Sequence, residues 1–191
     1  MQNNRVVMKV IVAITGASGG LYARLCLEQL IAAHEVEHIA LIMSDTASKV
    51  LKHEGITLPQ SEKIVKHAND DMFSAVASGS AKYDAMVIVP ASMGSVGRIA
   101  AGVSLSLIER AADVMLKERR KLIAVVREAP YSLIHLRNMT TLTEAGAIIL
   151  PASPSFYSHP QTIDEAALTV VERIITLMGI NAPHYEWGGE N

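Results

Sequence analysis

The chain has a single cysteine, Cys26, in 191 residues. It therefore cannot close an internal disulfide, and Cys26 has no thiol partner for a metal. Aromatic residues are scarce at 4%, and charged residues make up only 19%, with a formal net charge of −2. Such a balance offers no bulk attraction to polyanions, which argues against nucleic acid as a partner. Long apolar runs are also missing. The longest, such as those at residues 10–14, 85–89 and 122–126, fall far short of the ~18–20 residues that span a bilayer, so no membrane insertion is expected. Residues 1–5 carry neither the basic head nor the small-residue cleavage site of a secretion signal, and the expected location is the cytoplasm. No repeat, heptad array or low-complexity tract occurs. His34, His38, His53, His67, His135, His159 and His184 show no H-E-x-x-H spacing, so no catalytic metal is expected.

What the chain does have is apolar mass. Half of its residues are hydrophobic and its mean hydropathy is +0.26, the reverse of a disordered composition. A length of 191 residues and a mass of 20.6 kDa suit one domain, taken as 1–191. Short β-branched runs alternate with longer segments of helical period, the pattern of a parallel sheet covered by helices. Five strands are expected, at 6–14, 38–43, 85–89, 122–126 and 147–150. Helices are expected at 21–34, 45–54, 104–120, 132–145 and 163–178, with a short one near 94–101. Residues 59–80 show no clear period and read as a loop-rich connection. The fold class is a three-layer α/β architecture, flavodoxin-like or Rossmann-like, with helices on both faces of a parallel sheet.

Open parallel sheets bind ligands beyond the carboxyl ends of their strands. Five turns fall there: 15–20, 44–45, 90–95, 127–130 and 151–157. All are rich in small, hydroxyl or charged residues, which points to one polar site assembled from them. In Thr15-Gly16-Ala17-Ser18-Gly19-Gly20 the glycines let the backbone approach an anion, and hydroxyls and helix amides can donate to it. A phosphate there and a plain tight turn with Ser18 as N-cap are the two readings. A nicotinamide site is the weaker option, because Tyr22 stands where the dinucleotide fingerprint has a further glycine and Ser44 stands at the strand end that wants an acid. Ser92 and Ser95 in the second turn are either ordinary caps or, together with the first turn, part of a site for a ligand that carries both a phosphate and a polar ring edge.

Arg110, Asp113 and Lys117 share one helix face, which is either a solvated surface or an amphoteric binding face. Arg173 falls in the row of Ala166 and Val170, bordering the apolar stripe of its helix, so it needs an anion, internal or bound. Tyr157 could supply a phenol to the same anion or simply pack. Glu128 beside Arg127 is either an internal ion pair or a proton-transfer group.

The combined motifs resemble the UbiX/Pad family of flavin prenyltransferases, flavodoxin-like FMN-binding proteins, over nearly the whole chain. They are Thr15-Gly-Ala-Ser-Gly19, Pro90-Ala-Ser-Met-Gly-Ser95, Glu109-Arg-Ala-Ala-Asp-Val114 with Leu116-Lys-Glu-Arg119, Arg127-Glu-Ala-Pro130, Ile134-His-Leu136 with Asn138-Met139, and the stretch from Pro154 to His159 and Pro160. The resemblance implies transfer of the dimethylallyl group of dimethylallyl monophosphate to N5 and C6 of reduced FMN, without a metal. The product would serve a downstream decarboxylase of aromatic or α,β-unsaturated acids, including the one in ubiquinone synthesis. By position, Gly16, Ala17, Ser18, Ser44, Ser92, Met93, Gly94, Ser95 and Arg127 would hold FMN. Tyr157 and Arg173 would hold the prenyl phosphate, joined by Lys117 and Arg110 from a neighbouring subunit, and Glu54 and Glu128 are the acid/base candidates. A homo-oligomer, a dodecamer with sites between subunits, is implied. Two departures stand out: Ala91 replaces a cysteine common in the family, and Met93-Gly94 replaces the asparagine of related cysteine decarboxylases. Arg98 has no assigned role. The competing readings are a non-catalytic FMN carrier subunit and a nicotinamide-dependent oxidoreductase.

Overall fold

A computed structural model describes residues 7–181. Val6, the expected start of the first strand, and His184 lie outside them. Six parallel strands form one sheet: β1 (Met8–Ile14), β2 (Val36–Met43), β3 (Ile64–His67), β4 (Ala85–Ala91), β5 (Lys121–Val126) and β6 (Ile148–Pro151), in the order β3-β2-β1-β4-β5-β6. Helices α1 (Gly20–Ala32), α2 (Asp45–His53), α3 (Met93–Ala100), α4 (Leu107–Lys117), α5 (Leu133–Glu144) and α6 (Ile163–Met178) accompany it. This is the Rossmann strand order, and without the short edge strand β3 it reduces to the flavodoxin-like order.

Both faces of the sheet are buried, so the strands read as continuous apolar runs. Alternate side chains serve two cores. Val10, Val12, Ile39, Leu41, Val87 and Ile123 pack with α1, α2 and α6. Their neighbours Ile11, Ala40, Ile42, Met86, Ile88 and Leu122 pack with α3, α4 and Leu142 of α5. The expected helices are all present, within about three residues at either end.

The expected five strands become six, and the correction falls in the segment read as a loop. Residues 64–67 pair with β2 from Ile39↔Ile64 to Ile42↔His67. Four residues with two exposed lysine-flanked positions carry too little period to announce a strand; the exposed edge of β2 recruits them. Residues 75–77 and 79–81 add two short 3-10 turns.

Helix α2 also departs from the usual crossover path. Its first turn and its C-cap both touch the turn after β1: a Cβ on Gly16 would meet Thr46 Cγ2 at 2.5 Å, and a Cβ on Gly20 would meet Leu51 Cδ2 at 2.4 Å and Glu54 Oε2 at 3.0 Å. The helix thus lies over the carboxyl end of β1, and residues 55–63 carry the chain back to β3. At the far end Lys63 closes α1 by donating to the carbonyls of Ile31 and Ala33 at 2.8 and 2.9 Å.

The Gly16 contact yields a direct expectation. Gly16→Ala forces Thr46 and the start of α2 outward, so it lowers unfolding stability by about 1–3 kcal/mol, read as a fall in the urea midpoint. An unchanged midpoint would show that α2 does not seat on this turn.

Candidate active site

The chain turns away from the sheet centre in opposite directions after β1 and β4, and their carboxyl ends form the switch point. One buried hydroxyl clamps it. Thr15, 2% exposed, donates from Oγ1 to the Pro90 carbonyl at 2.8 Å and accepts from the Ser92 amide at 2.7 Å, while its own amide also reaches the Pro90 carbonyl at 3.2 Å. The other turns join by single bonds. The Ser44 amide donates to the Ile14 carbonyl at 3.0 Å, Arg127 Nε donates to the Ser18 carbonyl at 3.2 Å, and the Ala152 amide donates to the Val126 carbonyl at 2.9 Å. Four of the expected turns thus meet around Thr15, and the fifth follows at β6.

Two helix amino termini flank this point, and they differ. At α1 the N-cap is Gly19, left-handed at φ 116°, with no side-chain cap of its own. Ser18 is therefore not the N-cap. The place is taken by Glu54, whose carboxylate accepts from the Gly19 amide at 2.9 Å and the Gly20 amide at 2.8 Å. Burial alone would raise its pKa. Hydrogen bonds from the Ser18 side chain and the two amides, with the charge of Arg127, instead hold it below the usual carboxylate range. Glu54 thus takes the first two amides of α1, while the Leu21 amide finds no acceptor among the described residues.

At α3 the arrangement is open. Ser92 caps the helix by accepting from the Ser95 amide at 3.4 Å, and its hydroxyl lies 3.1 Å from that of Ser95. The amides of Met93 and Gly94 find no acceptor among the described residues. Arg98, one turn along, donates to Ser95 Oγ at 3.4 Å. A Cβ on Gly94 would lie 3.4 Å from Arg98 Nη1, so glycine keeps the way to the guanidinium clear. Two amides, two hydroxyls and a guanidinium at a positive helix end are the donor set of a phosphate cradle.

Arg98 is the residue that sequence reasoning left without a role. Its Nε pairs with Glu109 Oε1, while Glu109 Oε2 accepts from the amides of Leu105 and Ser106 at 2.8 and 3.1 Å. Glu109, 3% exposed, is the buried member of a Ser106 capping box. Burial pushes its carboxyl up, and Arg98 with the two amides more than reverses this. The signal in the sequence is the eleven-residue spacing from Arg98 to Glu109, which only a helix-loop-helix hairpin brings together.

The remaining candidates are spread wider. Met93 points into the core at 7% exposure. Glu128 is half-buried and accepts from the Ala129 amide at 3.1 Å; among the described residues no ion pair joins it to Arg127. Arg110 donates to the Ala77 carbonyl at 3.1 Å and pairs with Asp113 at 2.6 Å. Lys117, at the end of α4, pairs with Glu118 and precedes the amino end of β5, so it sits across the sheet from the switch point. Arg173 is exposed, not set against the buried stripe as expected, because α6 packs on α1 and leaves that flank uncovered. It follows Thr169 by one turn, and Thr169 Oγ1 accepts from the Ser155 amide at 2.9 Å. That bond lays the loop bearing the 65% exposed Tyr157 beside the same helix. Cys26 is fully buried, and burial pushes its thiol up to about 12, so it is no nucleophile.

Against the α1 end lies a cavity of about 370 Å³ lined by Ser18, Leu21, Tyr22, Glu54, Ile56, Pro154 and Ile163. Burial raises the Tyr22 phenol. The walls are apolar except at Ser18, Glu54 and the Tyr22 hydroxyl.

A doubly wound sheet with its donor groups gathered at the switch point defines a cofactor-binding α/β protein. The sequence model of the Flavoprotein family matches residues 2–178, and the chain belongs to that family and, within it, to the UbiX-type flavin prenyltransferases. It is 45% identical over 185 residues to the flavin prenyltransferase UbiX of Methanocaldococcus jannaschii, covering 95% of this chain and 99% of that one. The crystal structure of AnUbiX (PadA1) in complex with FMN and dimethylallyl pyrophosphate superposes with a TM-score of 0.85 at 37% identity, covering 97% of this chain and 100% of that one. A dodecameric FMN-dependent UbiX-like decarboxylase from Escherichia coli O157:H7 gives a TM-score of 0.88 at 37% identity, covering 95% and 100%.

Both carboxylates give a stability expectation with a definite sign. A depressed native pKa adds stability that is present above the ordinary carboxylate range and is lost as pH falls through the native value. Thermal stability should therefore fall on the acid side, and Glu109→Gln should flatten that limb while costing about 1–3 kcal/mol at neutral pH. An acid limb equally steep in the variant would show that Glu109 is not held ionised by Arg98.

Proposed function

We propose that this chain is a flavin prenyltransferase, joining the dimethylallyl group of dimethylallyl monophosphate to N5 and C6 of reduced FMN in one flavin-binding domain. The observation that carries the reading is the α3 amino terminus, whose free Met93 and Gly94 amides, Ser92 and Ser95 hydroxyls and Arg98 guanidinium fit the single phosphate of FMN. Reduced FMN supplies the nucleophilic ring atoms. Arg127, tethered to the Ser18 carbonyl, sets a cation at the mouth of β5. Gly16, Ala17, Ser18 and Ser44 border the same space from β1 and β2.

Glu54, held ionised by its amide and hydroxyl donors, serves as a proton acceptor and not as an acid. Glu128 at the opposite rim is the second proton-transfer candidate. The cavity beside Glu54, mostly apolar on its other walls, suits a five-carbon hydrocarbon. Tyr157, Arg173, Lys117 and Arg110 meet the departing phosphate by charge-assisted hydrogen bonds, a fixed electrostatic role. Arg173 lies about 15 Å along α6 from its first residue at 1.5 Å per residue, and Lys117 lies across the sheet, so these groups act on sites of neighbouring copies. Exposed Phe73, Leu105, Ile134, Phe156 and Ile163, from 67% to fully accessible, are the apolar surface such contacts would cover, and the dodecameric relative supports that assembly. Among the described residues no three His, Cys, Asp or Glu side chains gather as a metal cluster. A downstream decarboxylase is the fitting consumer of the product. Among the described residues no helix is long and apolar enough to cross a membrane; the proposed site of action is the cytoplasm.

Incubation with reduced FMN and dimethylallyl monophosphate under anaerobic conditions should give a flavin heavier by one five-carbon unit, with a chelator making no difference. Unchanged flavin mass with FMN bound would leave a carrier subunit instead. A parallel incubation with dimethylallyl pyrophosphate distinguishes the two esters. Arg173→Ala and Tyr157→Phe should each lower kcat/KM by about 100-fold or ~2.7 kcal/mol while FMN affinity holds. Light scattering should report many copies per particle, and a monomeric mass would remove the shared-site arrangement.

A further inference from the structure

We infer that Thr169 is a positioning residue: its hydroxyl pins the loop between β6 and α6 along the helix, so that the Tyr157 phenol and the Arg173 guanidinium are presented as a pair. This rests on the flavin reading above, in which that pair meets the departing phosphate. A threonine hydroxyl has one proton to give and two lone pairs to receive with. Here the proton is committed, because Oγ1 donates to the Ala166 carbonyl one turn back at 2.7 Å. That bond fixes the rotamer of a β-branched side chain within a helix and leaves the oxygen to accept from the loop. It takes the Ser155 amide at 2.9 Å.

The ends of the loop are held elsewhere. The Ala152 amide sits on the Val126 carbonyl at 2.9 Å, and the Gln161 amide sits on the carboxylate of Glu165, in the first turn of α6, at 2.6 Å. Thr169 lies ~6 Å further along the helix than Glu165, and Arg173 another ~6 Å beyond it, so the bond at Ser155 draws the loop away from the helix cap and toward Arg173. Thr169 and Arg173, four residues apart, share a helix face. Pro154, just before the pin, has a fixed φ and no amide of its own to offer. Just after it, the His159 amide donates to the Phe156 carbonyl at 3.1 Å, closing residues 156–159 as one turn with Tyr157 inside it. Residues 154 and 155 are half-buried, whereas 156–159 are exposed. The chain touches down on the helix at Ser155 and leaves it with the turn, so the turn that carries Tyr157 takes its place from that one bond.

Thr169→Val keeps the branched shape and removes the bond, and Thr169→Ser restores it. In the full chain carrying Thr169→Val, hydrogen exchange across residues 152–159 should quicken about tenfold and kcat/KM for dimethylallyl monophosphate should fall about tenfold, while FMN affinity stays within about twofold. Thr169→Ser should recover both quantities to within about threefold of wild type. With Tyr157→Phe already in place, adding Thr169→Val should cost less than about twofold more, since the hydroxyl it positions is gone. Thr169→Ala reads the same quantities should the valine variant not fold. Unchanged exchange would overturn the pin. An unchanged kcat/KM, or an undiminished loss on top of Tyr157→Phe, would overturn its role in placing the phenol. Wild type that binds FMN and transfers no prenyl group counts against the flavin reading alone, because the exchange rates report on the pin without any substrate.

Discussion

The hydroxyl of Thr15 holds the two halves of this molecule in register where they diverge. A parallel sheet leaves the last carbonyl and first helix amide of neighbouring strands without ladder partners at the switch point, and buried backbone groups of this kind must be satisfied. Thr15 donates to one and accepts from the other across β1 and β4. Because the bridge is buried and short, the turns at 15–20 and 90–95 move as one body. The α1 and α3 amino termini are thereby fixed relative to each other.

Their furnishing shows how one local rule gives opposite outcomes. Both helices begin with free amides and a positive end. At α1 the carboxylate at the end of α2 accepts from the first two amides. At α3 the nearby carboxylate, Glu109, is instead consumed by Arg98 and by the amides of Leu105 and Ser106, so its charge never reaches the helix end. Arg98 stands between them, turning a would-be competitor for phosphate into an anchor for a cation beside Ser95. The capping box of α4 and the anion cradle of α3 are in this sense one network.

Much of this architecture was legible in the chain. Alternation of apolar strands and periodic helices announced the layers, and the small, hydroxyl-rich turns marked the carboxyl ends of the strands. Strand β3 was not legible, since four partly exposed residues owe their conformation to the edge of β2 and not to their own pattern. Ser92 as the α3 cap could be read locally, whereas Glu54 on Gly19 and Gly20, separated by 35 and 34 residues, depends on α2 crossing the sheet end. Local sequence carries no record of such a path. Arg173 was misplaced for a related reason: helical phase puts it at the border of the α6 stripe, but which border is covered depends on the neighbouring helix.

The side chains that helical phase alone could not place share a feature. Arg173 and Lys117 are cations on outward flanks, and Tyr157 stands with Phe156 and Ile163 on exposed surface around the β6–α6 connection. Leaving large apolar groups in water is unfavourable in proportion to their area, and cations placed among them gain strength only when water is excluded. Both costs are relieved by covering the same surface with another copy. The fold thus separates two surfaces: the donors of the switch point gather within one chain, while Arg173, Lys117 and Tyr157 lie on outer flanks, where, on the function proposed above, one copy serves another.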